Sequence, residues 1–100
     1  MKALLDGVTI AEAEKDDLVR IEGNWYFPPS ALKEGALVES PTPYTCAWKG
    51  SAQYFSVRAG NGEFADGAWS YPTPHSTAIE RVGRDFSGYV AFDPRVEIVD

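Results

Sequence analysis

The stretch Ser51-Ala52-Gln53-Tyr54-Phe55-Ser56-Val57-Arg58-Ala59, closed by Gly60-Asn61-Gly62 and followed by Glu63-Phe64-Ala65, decides the fold class. Aromatic and β-branched residues suit a pleated, half-buried surface, and a Gly-Asn-Gly break is a turn signal. The segment therefore reads as one long strand turning back into a second. After Asp66 the pattern resumes from Gly67 to Tyr71.

Outward from this centre the same grammar repeats. Lys2–Leu5 and Val8–Ala11 flank Asp6-Gly7, a dipeptide favoured in two-residue hairpin turns. Leu18–Glu22 and Trp25–Phe27 flank Gly23-Asn24, which reads as a second hairpin with Val19 and Ile21 on one face. Pro28-Pro29 stops strand pairing, because proline has no N–H to donate. Ser30 is placed to cap a helical turn through Lys33, ended by Gly35. Ala36–Glu39 reads as a brief strand, and Pro41-Thr42-Pro43 as irregular or extended chain. Thr77-Ala78-Ile79-Glu80 fits a capping box that opens a short helix ending near Gly83. Tyr89–Phe92 and Arg95–Val99 read as two late strands around Asp93-Pro94. The expectation is a single mainly β domain over residues 1–100, a small sandwich or open barrel with one or two short helices.

Composition narrows the function classes. Fifteen acidic residues stand against nine basic ones, a formal charge of −6. Nucleic acid and anionic membranes need clustered Lys and Arg, so neither is expected as a partner. One cysteine excludes an internal disulfide, and with a single histidine it cannot build a Cys/His zinc site, so neither a metal nor a cofactor is expected. The start lacks the pattern of a signal peptide, and no apolar run is long enough to span a bilayer. The expected location is the cytoplasm; oligomeric state is not written in the sequence.

Chemistry concentrates in Thr42-Pro43-Tyr44-Thr45-Cys46-Ala47-Trp48-Lys49-Gly50 and in Trp69-Ser70-Tyr71-Pro72-Thr73-Pro74. An ammonium near a thiol favours the thiolate, so Cys46 with Lys49 is a candidate nucleophile pair. The opposing reading makes Cys46 a small core hydrophobe. Lys49, between Trp48 and Gly50, reads either as a solvated side chain or as an anion anchor aimed into a pocket. Tyr44, Trp48, Tyr54, Trp69 and Tyr71 form an aromatic set suited to hold a flat or cationic ligand, or simply to fill a small core. His75 falls in a loop without an orienting carboxylate, and Asp66 reads as a turn residue able to orient Lys49 or a ligand. Asp16-Asp17 reads as a solvated turn.

Taken in order, Trp25-Tyr26-Phe27-Pro28, Thr45 through Tyr54, Ala68-Trp69-Ser70-Tyr71-Pro72 and Val90-Ala91-Phe92 resemble the bacterial family known as domain of unknown function 427. Cys46 to Tyr54 is the most specific piece, with Thr-x-Cys, Lys-Gly and a following Tyr. Ala47 stands where relatives often carry proline. The resemblance implies a tent-like β domain, in which two sheets meet over a pocket. Some tent-like relatives bind zinc through cysteines, which this chain cannot do, and others cage small ligands with aromatics. A nucleotidyltransferase-like label attached to the family finds no support in these residues, since a carboxylate pair and a phosphate loop are both missing. The leading expectation is a small-molecule binding domain with Tyr54, Trp69 and Tyr71 as pocket walls, Lys49 as polar anchor and Cys46 at the edge. The alternatives are an enzyme with Cys46 as nucleophile activated by Lys49, acting on a carbonyl or nucleotide-type substrate, and a protein-interaction module.

Overall fold

The computed structural model describes residues 1–100. It is mainly β, with nine strands in three sheets and one helix. The central sheet has the order β5-β6-β7-β8, built from Leu37–Cys46, Gly50–Ala59, Gly62–Ser70 and Val90–Phe92, all antiparallel. The stretch from Ser51 to Ala59 forms its long middle strand, as its residue types demand. β1 (Lys2–Leu5), β2 (Val8–Glu12) and β9 (Glu97–Val99) make a second sheet in the order β2-β1-β9. β3 (Val19–Ile21) and β4 (Asn24–Tyr26) form a separate hairpin. Beyond its end, Phe27 and Val90 exchange two backbone hydrogen bonds of 2.8 Å, which tie the hairpin to β8.

Alternation along the strands splits the interior in two. On one face of the central sheet Val57, Ala68 and Phe92 meet Ala3, Ile10 and Phe27, and the second sheet closes over them. On the other face Ala91 and Tyr71 meet Val19, Ile21 and Tyr26 from the hairpin and Ala78 from the helix, with Phe86 between. Tyr26 and Phe27, adjacent in sequence, thus anchor opposite cores.

Several local readings need correction. The β3–β4 turn is Glu22-Gly23 and not Gly23-Asn24, because Ile21 pairs directly with Asn24. Both turn residues have positive φ, 53° and 83°, the geometry that matches hairpin twist. β5 runs straight through Pro41-Thr42-Pro43 by inserting a bulge between Glu39 and Pro43. Two prolines fit there because β5 is an edge strand of the central sheet, where a missing N–H costs nothing on the open side.

The turn near Ser30 is a 3-10 turn over Pro29–Ala31 without a side-chain cap. The helix α1 spans Ser76–Val82, beginning two residues earlier than a cap at Thr77 requires, and its entry residue His75 makes no side-chain cap bond. Its end is as expected: Gly83 has φ 85° and its N–H donates to the Ile79 carbonyl.

Candidate functional site

The hairpin between β5 and β6 presents Lys49. Cys46 pairs with Gly50 across the turn Ala47-Trp48-Lys49, and Gly50 has φ 116°, a left-handed value that L side chains avoid. The His75 N–H donates to the Lys49 carbonyl at 3.0 Å, so the start of α1 holds this turn in place. The Lys49 side chain is driven inward, only 6% exposed, while the side chain of its partner Glu22 is 54% exposed. Its ammonium donates to Glu22 Oε1. It also lies 5.0 Å from the Tyr71 ring centroid and 5.1 Å from that of Trp48, within cation–π range of both. Arg81, from α1, lies 4.5 Å over the same Trp48 ring.

This environment fixes the charges. Burial alone would lower the Lys49 pKa. The Glu22 hydrogen bond, with the nearby acidic groups Tyr26, Glu22 and Cys46, outweighs burial and raises it. Glu22 moves the other way: the Lys49 hydrogen bond leads, and Trp48 and Arg81 add to it, holding the carboxyl below its ordinary range. The tyrosines Tyr26 and Tyr71 are pushed up, in both cases chiefly by burial. Lysine and glutamate are therefore an ion pair at neutral pH, and both phenols are neutral.

The aromatic set is brought to the same face, in two tiers. Tyr71 is 3% exposed and belongs to the core, where its ring meets Phe86 edge-on and underlies Lys49. Trp69 and Tyr54 are half-buried and cross-strand neighbours, with ring centroids 6.3 Å apart, and Tyr44 stands edge-on to Tyr54 at 6.4 Å. The Trp69 indole Nε1–H donates to the Tyr26 hydroxyl at 3.0 Å, which locks the ring orientation. Tyr44 is half exposed, so this row opens progressively to solvent. It is a shelf rather than an enclosed chamber. The hollows on the surface, the largest about 440 Å³ between Leu5, Phe64 and Arg95, lie elsewhere and include none of Cys46, Lys49, Tyr54, Trp69 or Tyr71.

The remaining candidates take defined places. Cys46 is half-buried against the second core beside Trp48 and Trp69. Asp66 does not reach Lys49. It sits at φ 55° in the bulge of β7, and its Oδ2 accepts from Thr42 Oγ1 at 2.7 Å. The hydroxyls of Ser40 and Thr42 hold its carboxyl below the ordinary range. Its Oδ1 is covered and has no hydrogen-bond partner. His75 is exposed and acts through its backbone.

Glu22, Tyr26 and Arg81 escaped the sequence reading. Glu22 lies 27 residues from Lys49 in the chain, and no local pattern links them. The one available signal was Glu-Gly between two strand runs, a weak turn mark because Glu is not at ease in the left-handed backbone that such a turn needs.

The model of the family described as domain of unknown function (DUF427) matches residues 1–100, and the chain belongs to that family. No curated protein matches the chain. None of its helices is long and apolar enough to cross a membrane.

Proposed function

We propose that the protein is a small-molecule binding domain whose ligand lies on the shelf of Tyr44, Tyr54 and Trp69, with the Lys49–Glu22 pair as the polar end of the site. One observation carries this reading. Trp69, fixed by its bond to Tyr26, and Tyr54 stand in a row on a sheet face that the fold leaves partly open, on the side that also holds the buried Lys49 ammonium. Rigid aromatic area contributes contact at little entropic cost, and an adjacent fixed charge gives orientation. Tyr71 supports Lys49 from beneath and is not itself a wall of the site. The ligand is small and flat, and neither nucleic acid nor a membrane is a partner in this reading. The cytoplasm is the location in this reading.

The test is thermal stabilisation of the wild type, Tyr54→Ala and Lys49→Met across a panel of metabolites and nucleotides. A ligand of the shelf raises the wild-type Tm and protects both variants less. If no compound raises the wild-type Tm, or if hits protect the variants equally, the reading is wrong.

A second reading, an enzyme with Cys46 as nucleophile, draws on the proximity through which a Cys46 thiolate would raise the Lys49 pKa. Against it, the Lys49 ammonium is already engaged by Glu22. The alkylation rate of Cys46 in the folded protein against pH decides: persistence well below the ordinary thiol range favours the nucleophile, and reaction only after denaturation eliminates it.

A further inference from the structure

The Glu22 carboxylate occupies an unusual position. It stands on the tip of the two-residue β3–β4 turn, with its side chain 54% exposed, yet it is the ionic partner of a lysine only 6% exposed. Its backbone is left-handed, φ 53°, a conformation that costs roughly 1 kcal/mol or more for a residue other than Gly, Asn or Asp. Two cations lie within cation–π range of Trp48, the Lys49 ammonium at 5.1 Å and the Arg81 guanidinium at 4.5 Å from its ring centroid. In a chain with nine basic residues and a charge of −6, two cations gather at one indole, and the carboxylate bonded to one of them is Glu22. A buried ammonium demands an anion, because leaving it unpaired is strongly unfavourable. Nothing in that demand requires the anion to belong to the chain. An exposed carboxylate on a short turn is the most replaceable partner a buried lysine can have.

We infer that Lys49, Arg81 and the Trp48 edge form a binding site for a small anionic group, a carboxylate or phosphate monoester, and that Glu22 is its resident occupant, displaced when the ligand's anion enters. This rests on the proposal that a ligand lies on the neighbouring shelf, and it supplies that ligand's charged end. A site filled by its own side chain binds an outside anion with an affinity reduced by the fraction of molecules in which the side chain has left. Neutralising Glu22 removes the competition without touching the cations.

The experiment is a titration of wild type, Glu22→Gln and Lys49→Met with inorganic phosphate, benzoate and neutral benzyl alcohol, following the indole N–H resonances of Trp25, Trp48 and Trp69. Glu22→Gln is expected to bind phosphate and benzoate about tenfold or more tightly than wild type, with the Trp48 resonance moving, and Lys49→Met to lose that binding. Equal anion affinities in wild type and folded Glu22→Gln overturn the inference, since Glu22 then competes with nothing.

Benzyl alcohol separates this outcome from the shelf itself. If it moves Trp69 while anions show no dependence on Glu22, the shelf stands and the anion site falls. If phosphate moves Trp48 in Glu22→Gln while neither aromatic probe moves Trp69, the anion site stands and the shelf falls. Phosphate bound without benzoate marks the phosphate monoester as the ligand group, and the reverse marks the carboxylate. Should Glu22→Gln fail to fold, Glu22→Asp, with a shorter reach to Lys49, is expected to bind anions more tightly than wild type, and equality there overturns the inference.

Discussion

The two faces of the central sheet are built from the same strands and end in opposite conditions. On one, Phe27 and Phe92 meet edge-on at 5.7 Å among fully buried aliphatics, and the β2-β1-β9 sheet seals them. On the other, the hairpin and α1 cover β8 and reach the inner side of Trp69, and the row from Trp69 through Tyr54 to Tyr44 runs out into solvent. The sealed face holds no charged side chain. The open one has a buried lysine and a turn strained to place a carboxylate against it. Strand alternation sorts residues between faces, but it does not require a face to be finished. A sheet face left half-covered, yet lined with a row of rings of which Trp69 is locked by a hydrogen bond, is where an added molecule finds contact area without displacing the core.

Substitutions separate the two faces by size of effect. Phe27→Ala on the sealed face leaves a cavity with no means to collapse and is expected to cost about 3–5 kcal/mol by denaturant unfolding. A loss under about 1 kcal/mol would mean that this face is not the stabilising one. Gly67→Ala comes next. A Cβ there would stand 2.8 Å from Phe64 Cδ2 and 3.0 Å from Val57 Cγ2, so the interior must shift. Overpacking of this kind costs about 1–3 kcal/mol. The check is whether a second change, Phe64→Leu, restores part of the loss. If it does not, steric crowding is not the cause.

How much of this was legible in the sequence differs between the faces for a physical reason. Strands, the Asp6-Gly7 turn and the Gly83 helix end follow from residues adjacent in the chain, where period and turn chemistry act. Trp69 and Tyr71 share a side, as the period of two implied, and Cys46, Lys49 and Tyr54 stand on that side too, which no spacing in the chain announced. The partner of Lys49 was hidden because a long-range ion pair leaves no local trace, and because Glu is a poor residue for a left-handed turn. Asp6 and Glu22 show the contrast: both precede Gly in a two-residue turn at φ 51° and 53°, but only Asp is at ease there by itself. Tertiary contact overrode local preference at Glu22, and that is the residue at the candidate site. The prolines of β5 misled for a related reason, since only the sheet order reveals an edge.

The ion pair gives the next effect. Glu22→Gln leaves Lys49 buried without a counter-ion but keeps a hydrogen-bond acceptor, and Glu22 is half exposed, so a loss of about 1–2 kcal/mol is expected near neutral pH. The pH dependence carries the sign. Glu22 has a lowered pKa in the fold, so its contribution is present above its unfolded value and is lost as pH falls through the folded one. Lys49 has a raised pKa, so the pair's contribution persists below the unfolded lysine value and is lost as pH rises through the folded one. Asp66 and Asp85 also have lowered values and contribute to the acid limb in both proteins. Unfolding curves of wild type and Glu22→Gln should therefore differ at neutral pH and converge in acid. A gap that stays constant down through the acid range would show that Glu22 acts by packing and not by charge.

The smallest effect is expected at the outer end of the shelf, and it discriminates most sharply between a core and a site. Tyr44 is half exposed and meets Tyr54 only edge-on, so Tyr44→Ser should change stability by no more than about 0.5 kcal/mol. On stability grounds alone an exposed tyrosine on an edge strand could be any polar residue. Its presence there is explained if the row of rings extends to meet something. Tyr44→Ser is then expected to leave the unfolding curve in place while weakening the binding of any aromatic probe that moves the Trp69 resonance. A probe bound equally by wild type and Tyr44→Ser would end the shelf at Tyr54. A loss of stability comparable to that of Glu22→Gln would instead make Tyr44 part of the fold, and the contrast between the two faces would then be one of degree.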